Sequence, residues 1–271
     1  MGRAGRLLMM GASDGPTNMG VDEALARLCR DHAVLRFYSG EPSVLSIGYF
    51  QRAGEIDLAA CRKSSICLVR RPTGGRAVLH QQDLTYSLIL PLRVPWREFS
   101  IAESYRRINA CLQRGLELLG VPASMTIDLA HAPYPLSPFC FSTVARHEVL
   151  VGGKKAIGSA QRRFPTALLQ QGTILLDVDP TSLFALLRPD KRATMEGSLD
   201  AIGSLREALG SLPDRLEVEA AIKEGFCREM GVEFAEGTLE REEVTLAREL
   251  SEVDMLLMTG PYVDDGVRDQ P

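Results

Sequence analysis

Cys140–Val178 reads CFSTVARHEVLVGGKKAIGSAQRRFPTALLQQGTILLDV. Two short strand-like runs, His147 to Val151 and Lys154 to Ala160, flank Gly152-Gly153, where a chain reverses; that is the pattern of a hairpin. Leu168 to Val178 follows as a further strand. Strands joined by tight turns pair antiparallel, whereas parallel pairs need long crossovers. The stretch therefore predicts an α+β fold: a mixed, largely antiparallel β-sheet flanked by helices. It also sets Cys140 fifteen residues ahead of Lys155. A cysteine brought near an ammonium group is a route to a thiolate, and a thiolate attacks acyl thioesters.

Outward from this stretch the same alternation of hairpins and helices continues. Asn18 reads as a helix cap, with apolar spacing through Val21, Leu25, Leu28, Cys29 and His32. VLRFYSGEPSVLSIGYF (34–50) reads as two strands around a Ser-Gly-Glu-Pro turn, and a short helix is predicted over 55–62. ICLVRR, RAVLH and LTYSLILP read as three more strands. Ser100-Ile-Ala-Glu103 is a capping box, and the helix it opens stops at Gly120. Three prolines between Ala130 and Pro138 predict a loop. Beyond Asp179 only helices are predicted, near 181–187, 218–230 and 239–258. Residues 1–190 are read as the catalytic part and 191–271 as a helical C-terminal extension of the same domain, with no flexible linker between them.

Composition narrows the function classes. The chain has 271 residues, 45% hydrophobic and 24% charged, which suits one globule with a sizeable core. A net charge of −4 argues against a nucleic-acid binder. No apolar run approaches the ~20 residues that span a bilayer, and Leu7 to Met10 is too short for a secretory core. The six cysteines form no CxxC pair and no zinc-type spacing, so a reducing cytoplasm is the expected setting and no metal is expected. Five of the six read as small buried hydrophobes.

Arg70–His80 (RRPTGGRAVLH) joins two predicted strands. Adjacent glycines allow a tight turn, and free N–H groups in such a turn hold an oxyanion or a phosphate. Solvated arginines on an ordinary turn are the competing reading. No Walker P-loop is present, and Gly153-Lys154-Lys155 lacks the Ser/Thr that would hold magnesium.

RRPTGGRAVLHQQDLTYS, GGKKAIGSAQRR and LLQQGTILLDVD, with NMGVDEAL and SVLSIGYFQ ahead of them in the same order, resemble the biotin/lipoate protein ligase A/B superfamily. The resemblance runs from about Asn18 to Asp179. It implies a class II biotin/lipoate ligase-like catalytic domain. Within the superfamily, GGRAVLH and the Cys-Phe ahead of the lysine hairpin resemble octanoyltransferases of LipM type. That resemblance implies transfer of an octanoyl group from octanoyl-acyl carrier protein to a lysine of a lipoyl domain or glycine cleavage H protein, by a monomer, with no cofactor. It places the nucleophile at Cys140 and the essential lysine at Lys155. Lys154, one residue off, faces the other side of a strand. Arg71, Thr73, Gly74, Gly75, Arg76, Ala77, His80, Gly158, Ser159 and Ala160 are the expected substrate-binding residues. Lys155 in its neutral form is the expected acceptor of the amine proton.

The sequence departs from that pattern at two places. Gln170-Gln171-Gly172 stands where relatives usually have Gln-His-Gly, and Ala145, Arg146 and His147 fill places often held by Ser and an aromatic pair, while Glu148 remains. Competing functions are an ATP-dependent lipoate-protein ligase, which needs the lysine but no cysteine, and a non-catalytic binder of lipoyl or acyl carrier domains. A biotin ligase is disfavoured by the absence of Gly-Arg-Gly-x-x-x-Arg, and an octanoyl amidotransferase by its different glycine loop.

Overall fold

A computed structural model describes residues 3–126, 146–192 and 199–259. In chain order the elements are β1 (Arg3–Ser13), α1 (Gly15–Leu28), β2 (Ala33–Gly40), β3 (Val44–Ile47), α2 (Leu58–Lys63), β4 (Cys67–Arg70), β5 (Val78–His80) and β6 (Asp83–Pro91). Next come α3 (Ile101–Leu118), β7 (Ala123–Met125), β8 (Val149–Val151), β9 (Lys154–Lys155), β10 (Ile157–Arg163) and β11 (Ala167–Leu175). The chain continues with α4 (Pro180–Ala185), α5 (Pro189–Arg192), α6 (Leu205–Leu209), α7 (Arg215–Met230), β12 (Val232–Glu236) and α8 (Arg241–Thr259).

The large sheet has the order β10-β11-β6-β2-β1-β12. Its β10-β11, β11-β6 and β6-β2 pairs are antiparallel, whereas β1 runs parallel to both β2 and β12. Two three-stranded sheets, β4-β3-β5 and β7-β8-β9, lie beside it. The expected mixed, largely antiparallel sheet with flanking helices is therefore the observed fold, divided among three sheets.

Strand alternation decides what each face of the large sheet carries. Leu35, Phe37, Leu84, Tyr86 and Leu88 face one way and pack with Ile108, Leu112 and Leu116 of α3 and Val218, Ile222 and Phe226 of α7. On the other face, Leu8, Val34, Ile89 and Leu169 meet Val21, Ala24 and Leu25 of α1 and Ala247 and Leu250 of α8. A separate apolar cluster, including Leu45, Ile47, Val78, Leu183 and Leu187, stands behind the small β4-β3-β5 sheet.

Several local expectations change. Asn18 is not a cap: α1 begins at Gly15 and is capped by Asp14, whose carboxylate accepts from the Thr17 amide. The Asn18 side chain instead donates to the carbonyls of Ser13 and Ser39 and accepts from Arg36. The two strands around Ser-Gly-Glu-Pro do not pair; β2 joins the large sheet and β3 the small one. Beyond Asp179, β12 interrupts the helices, and its alternating Val232 and Phe234 are buried against the sheet. β1, rich in Gly, Ala and Met, has low intrinsic strand preference and is held by neighbours on both sides. Among the described residues, no helix is long and apolar enough to cross a membrane.

Candidate active site

The α1-facing side of the large sheet changes character along its strands. Beyond the apolar row Val34, Ile89 and Leu169, the next residues in register are Arg36, Ser87 and Gln171, then Tyr38, Thr85 and Thr173. All six are buried. Buried polar groups must be hydrogen-bonded, and these are bonded largely to one carboxylate. Oδ1 of Asp22 on α1 accepts from Arg36 Nη1 (2.6 Å) and Ser87 Oγ (2.7 Å). Its Oδ2 accepts from Tyr38 Oη (2.7 Å) and Gln171 Nε2 (2.7 Å). Burial, reinforced by the Asp22 charge, holds the Tyr38 phenol well above its ordinary pKa, so it remains a donor.

His80, at the end of β5, is tied into a neighbouring network. Its Nε2 lies 2.9 Å from Ser46 Oγ, and its Nδ1 lies 2.9 Å from Asp83 Oδ2 and 3.1 Å from Thr85 Oγ1. An ionised carboxylate only accepts, so the network assigns the proton to Nδ1 and leaves Nε2 to accept from Ser46.

The glycine loop, residues 72–77, is braced from inside by Arg71. Its guanidinium donates to the carbonyls of Gly74 (2.6 Å), Arg76 (2.7 Å) and Ser46 (3.1 Å). Arg71 is 6% exposed, so its charge supports the loop rather than facing solvent. Gly75 has a φ of +83°, which favours glycine. A Cβ at Gly48 would lie 1.9 Å from the Gly75 carbonyl oxygen, so the loop rests directly on the end of β3. On its far side the loop approaches β10: a Cβ at Gly75 would stand 3.5 Å from Ala160 Cβ. Arg70 and Arg162 also serve the local backbone: Arg70 Nη1 donates to Gly48, Tyr49 and Gln51, and Arg162 to Pro72 while stacking on Tyr49.

Arg71, His80, Gly158, Ser159 and Ala160 line one narrow cavity of about 30 Å³, together with Met19, Tyr38, Ser46, Gln171 and Thr173 among others. That is room for a water or two. Ser159 Oγ shares a hydrogen bond with Tyr86 Oη (2.8 Å), and either hydroxyl can donate. Thr73, Gly74, Gly75 and Arg76 belong to the adjoining loop, and Thr73 Oγ1 donates to Gln171 Oε1 (2.7 Å). Ala77 is packed into the apolar cluster behind the small sheet.

Gly152 and Gly153 turn the predicted hairpin with φ of +57° and +81°, and the two lysines after them go to different surroundings. Lys154 is half-exposed and pairs with Glu207 (2.6 Å). Lys155 is 1% exposed, and its Nζ lies 2.6 Å from Glu148 Oε1, itself buried. The backbone amide of Glu148 is held by Thr126 Oγ1 (2.9 Å). The preceding His147, at φ +65°, is tied through its carbonyl to Asn109 Nδ2 (2.7 Å). Lys155 stands three residues before Gly158 on the same stretch of chain and is not among the residues lining the cavity. Cys140 lies outside the described residues, as do the Ala130–Pro138 loop and Ala145.

Four of the other thiols are held in the unreactive protonated form. Burial pushes Cys29 and Cys61 up to about 11 and raises Cys67 and Cys111 as well. Among the described residues, no three His, Cys, Asp or Glu side chains are grouped to hold a metal ion. Reading the sequence did not single out Asp22, Arg36, Tyr38, Ser46, Asp83, Thr85 or Thr173. The signal was present: polar residues of one parity, 36/38, 85/87 and 171/173, interrupt strands that are otherwise apolar.

The polar seam between the large mixed sheet and a small one, with the glycine loop beside it, sits in a ligase-like catalytic domain of the lipoate class. Residues 14–227 match the lipoyl protein ligase A/B catalytic domain, and the chain belongs to that family. Its relatives include a protein named octanoyltransferase LipM from Kyrpidia tusciae, 41% identical over 260 residues, covering 90% of this chain and 94% of the relative. Proteins of the same name from Symbiobacterium thermophilum and Clostridioides difficile are 40% and 39% identical, over 88% of this chain and 91% and 92% of theirs. Among solved structures, a lipoate-protein ligase A bound with ATP superposes with a TM-score of 0.77 at 28% identity, covering 92% of this chain and 94% of that one. The bipartite lipoate protein ligase of Thermoplasma acidophilum, studied with its E2 lipoyl domain, gives a TM-score of 0.79 at 26% identity over 99% of both chains.

Proposed function

We propose that this protein transfers an octanoyl group from octanoyl-acyl carrier protein to the lysine of a lipoyl domain or glycine cleavage H protein, in lipoate biosynthesis. The observation that carries this reading is near-full-length similarity, at 36–41% identity, to relatives named octanoyltransferase LipM. Cys140 as thiolate attacks the thioester carbonyl carbon; the bond to the carrier sulfur breaks, and the carrier leaves as a thiol with one proton. The neutral acceptor amine then attacks the Cys140 thioester. The bond to Cys140 Sγ breaks, the thiolate returns, and the amide is left. The amine proton balances the one taken by the carrier. A thioester is exchanged first for a thioester and then for an amide, so no nucleotide is consumed.

The buried Lys155–Glu148 pair supports placing the cationic partner at Lys155 rather than Lys154, whose ammonium is half-exposed and already committed to Glu207. It also alters the expected role of Lys155. A carboxylate 2.6 Å from Nζ gives an ammonium at this site a charged partner and gives a proton on Nζ somewhere to go. The lysine therefore acts with Glu148, not alone as a neutral base.

Intact-mass measurement after mixing with octanoyl-acyl carrier protein tests the reading. An octanoyl adduct is expected on the native protein and absent in Cys140→Ala. Strict dependence on ATP, or full transfer by Cys140→Ala, points instead to a lipoate-protein ligase. Binding of lipoyl domain with no transfer under either condition points to a non-catalytic binder.

A further inference from the structure

Both ends of the Gln171 side-chain amide are committed. Nε2 donates to Asp22 Oδ2 and Oε1 accepts from Thr73 Oγ1, each at 2.7 Å. Gln171 is 4% exposed and Thr73 and Asp22 are fully buried. Asp22 is itself fixed by Arg36, Tyr38 and Ser87, so one end of the amide is anchored to a rigid junction of α1, β2 and β6. The other end reaches the first residues of the glycine loop. The loop's remaining ties are short-range or lie beneath it: Arg71 braces its carbonyls, the Thr73 carbonyl accepts from the Tyr49 amide, and the Pro72 carbonyl accepts from Arg162. The Gln171–Thr73 bond joins the loop to the Asp22 junction.

We infer that Gln171 is a positioning residue: through Thr73 it sets where the glycine loop stands beside the cavity, and so how well the acyl donor is held. This deepens the octanoyl-transfer reading and rests on it. A side-chain amide suits the task because it presents a fixed donor and a fixed acceptor at every pH. A histidine can do the same only as one neutral tautomer.

Thr73→Val and Gln171→Leu, singly and combined, test the inference, with Gln171→His as the conservative replacement. Two readouts are taken: hydrogen exchange of residues 72–77, and steady-state transfer from octanoyl-acyl carrier protein. Each single variant is expected to speed exchange in the loop and raise KM for the donor by about tenfold, with kcat within about twofold. The double variant is expected to match Gln171→Leu alone, because that substitution already removes the bond that Thr73→Val breaks, along with the bond to Asp22. Gln171→His is expected to restore KM near neutral pH. Multiplicative effects in the double variant, or loop exchange unchanged in Thr73→Val, would overturn it. Should Gln171→Leu fail to fold, Thr73→Val, at the loop end of the bond, still decides. The exchange readout requires no turnover, so it separates failure of this inference from failure of the transfer reading, which the Cys140→Ala adduct test judges alone.

Discussion

Lys154 and Lys155 are chemically identical neighbours, and strand alternation alone gives them different environments. The outer ammonium forms a half-exposed pair with Glu207, of a kind worth at most about 1 kcal/mol. The inner one is removed from water against Glu148. Burying such a pair gives little net stability, so its retention argues for use of the charge. Lys155→Ala is expected to abolish octanoyl transfer, whereas Lys154→Ala should leave it within about twofold. Glu148→Gln keeps the shape and an acceptor oxygen but removes the charge. It is expected to lower kcat at least about tenfold with little change in donor KM, measured by steady-state transfer. An unchanged kcat would return the base role to Lys155 alone. This outcome is distinct from that of Gln171, whose variants are expected to act on KM.

At the scale of elements, the site depends on backbones that approach closely. β3 and the glycine loop touch where Gly48 meets the Gly75 carbonyl, and α3 crosses α7 at an equally bare point. A Cβ at Gly225 would lie 2.3 Å from the Cys111 carbonyl oxygen and 2.5 Å from the Gly115 amide nitrogen. Those helices cover the sheet face beneath Tyr86 and Phe37. Gly225→Ala should push them apart, at a cost of about 1–3 kcal/mol. Thermal melting should show a fall of several degrees, and an unchanged melting temperature would mean that the crossing relaxes freely. The same element carries a polar tie to the site. Asn109 of α3 donates to the His147 carbonyl, immediately before Glu148, and accepts from Gln170 of β11.

For the molecule as a whole, β12 and α8 close the architecture. β12 supplies the outer parallel partner of β1, burying Val232 and Phe234, and α8 lies along α1, burying Ala247 and Leu250. Burying a side chain such as Val, Leu or Phe stabilises by about 1.5–3 kcal/mol, against a total near 5–15 kcal/mol. A chain ending at Gly231 would also leave β1 as an open edge. It is expected to lose the cooperative unfolding transition of the full chain by circular dichroism and to aggregate. A soluble truncated protein with a sharp transition would show that β12 and α8 are dispensable.

Local pattern alone was enough for the reversal at Gly152-Gly153, the α3 boundaries from its capping box to Gly120, the glycine loop, and the opposed faces of Lys154 and Lys155, whereas the expected strand Lys154–Ala160 divides at Ala156 between two sheets. Each depends on residues a few positions apart, where backbone geometry and side-chain period act directly. Tertiary structure decided the rest. Asn18 became a buried tie to Arg36 because helix and strand meet there. Arg71 turned inward because loop carbonyls needed a donor. β1 formed a strand because neighbours on both sides supplied the hydrogen bonds that its own side chains do little to favour. Asp22 and Gln171, 149 residues apart, meet only when α1 packs on the assembled sheet, and sequence spacing carries no trace of such a contact. The sequence by itself thus determined the chemistry available and the local turns that carry it. Which buried charge pairs with which, and what holds the glycine loop in place, followed from long-range packing, because a buried polar group must find its partner wherever the fold brings one.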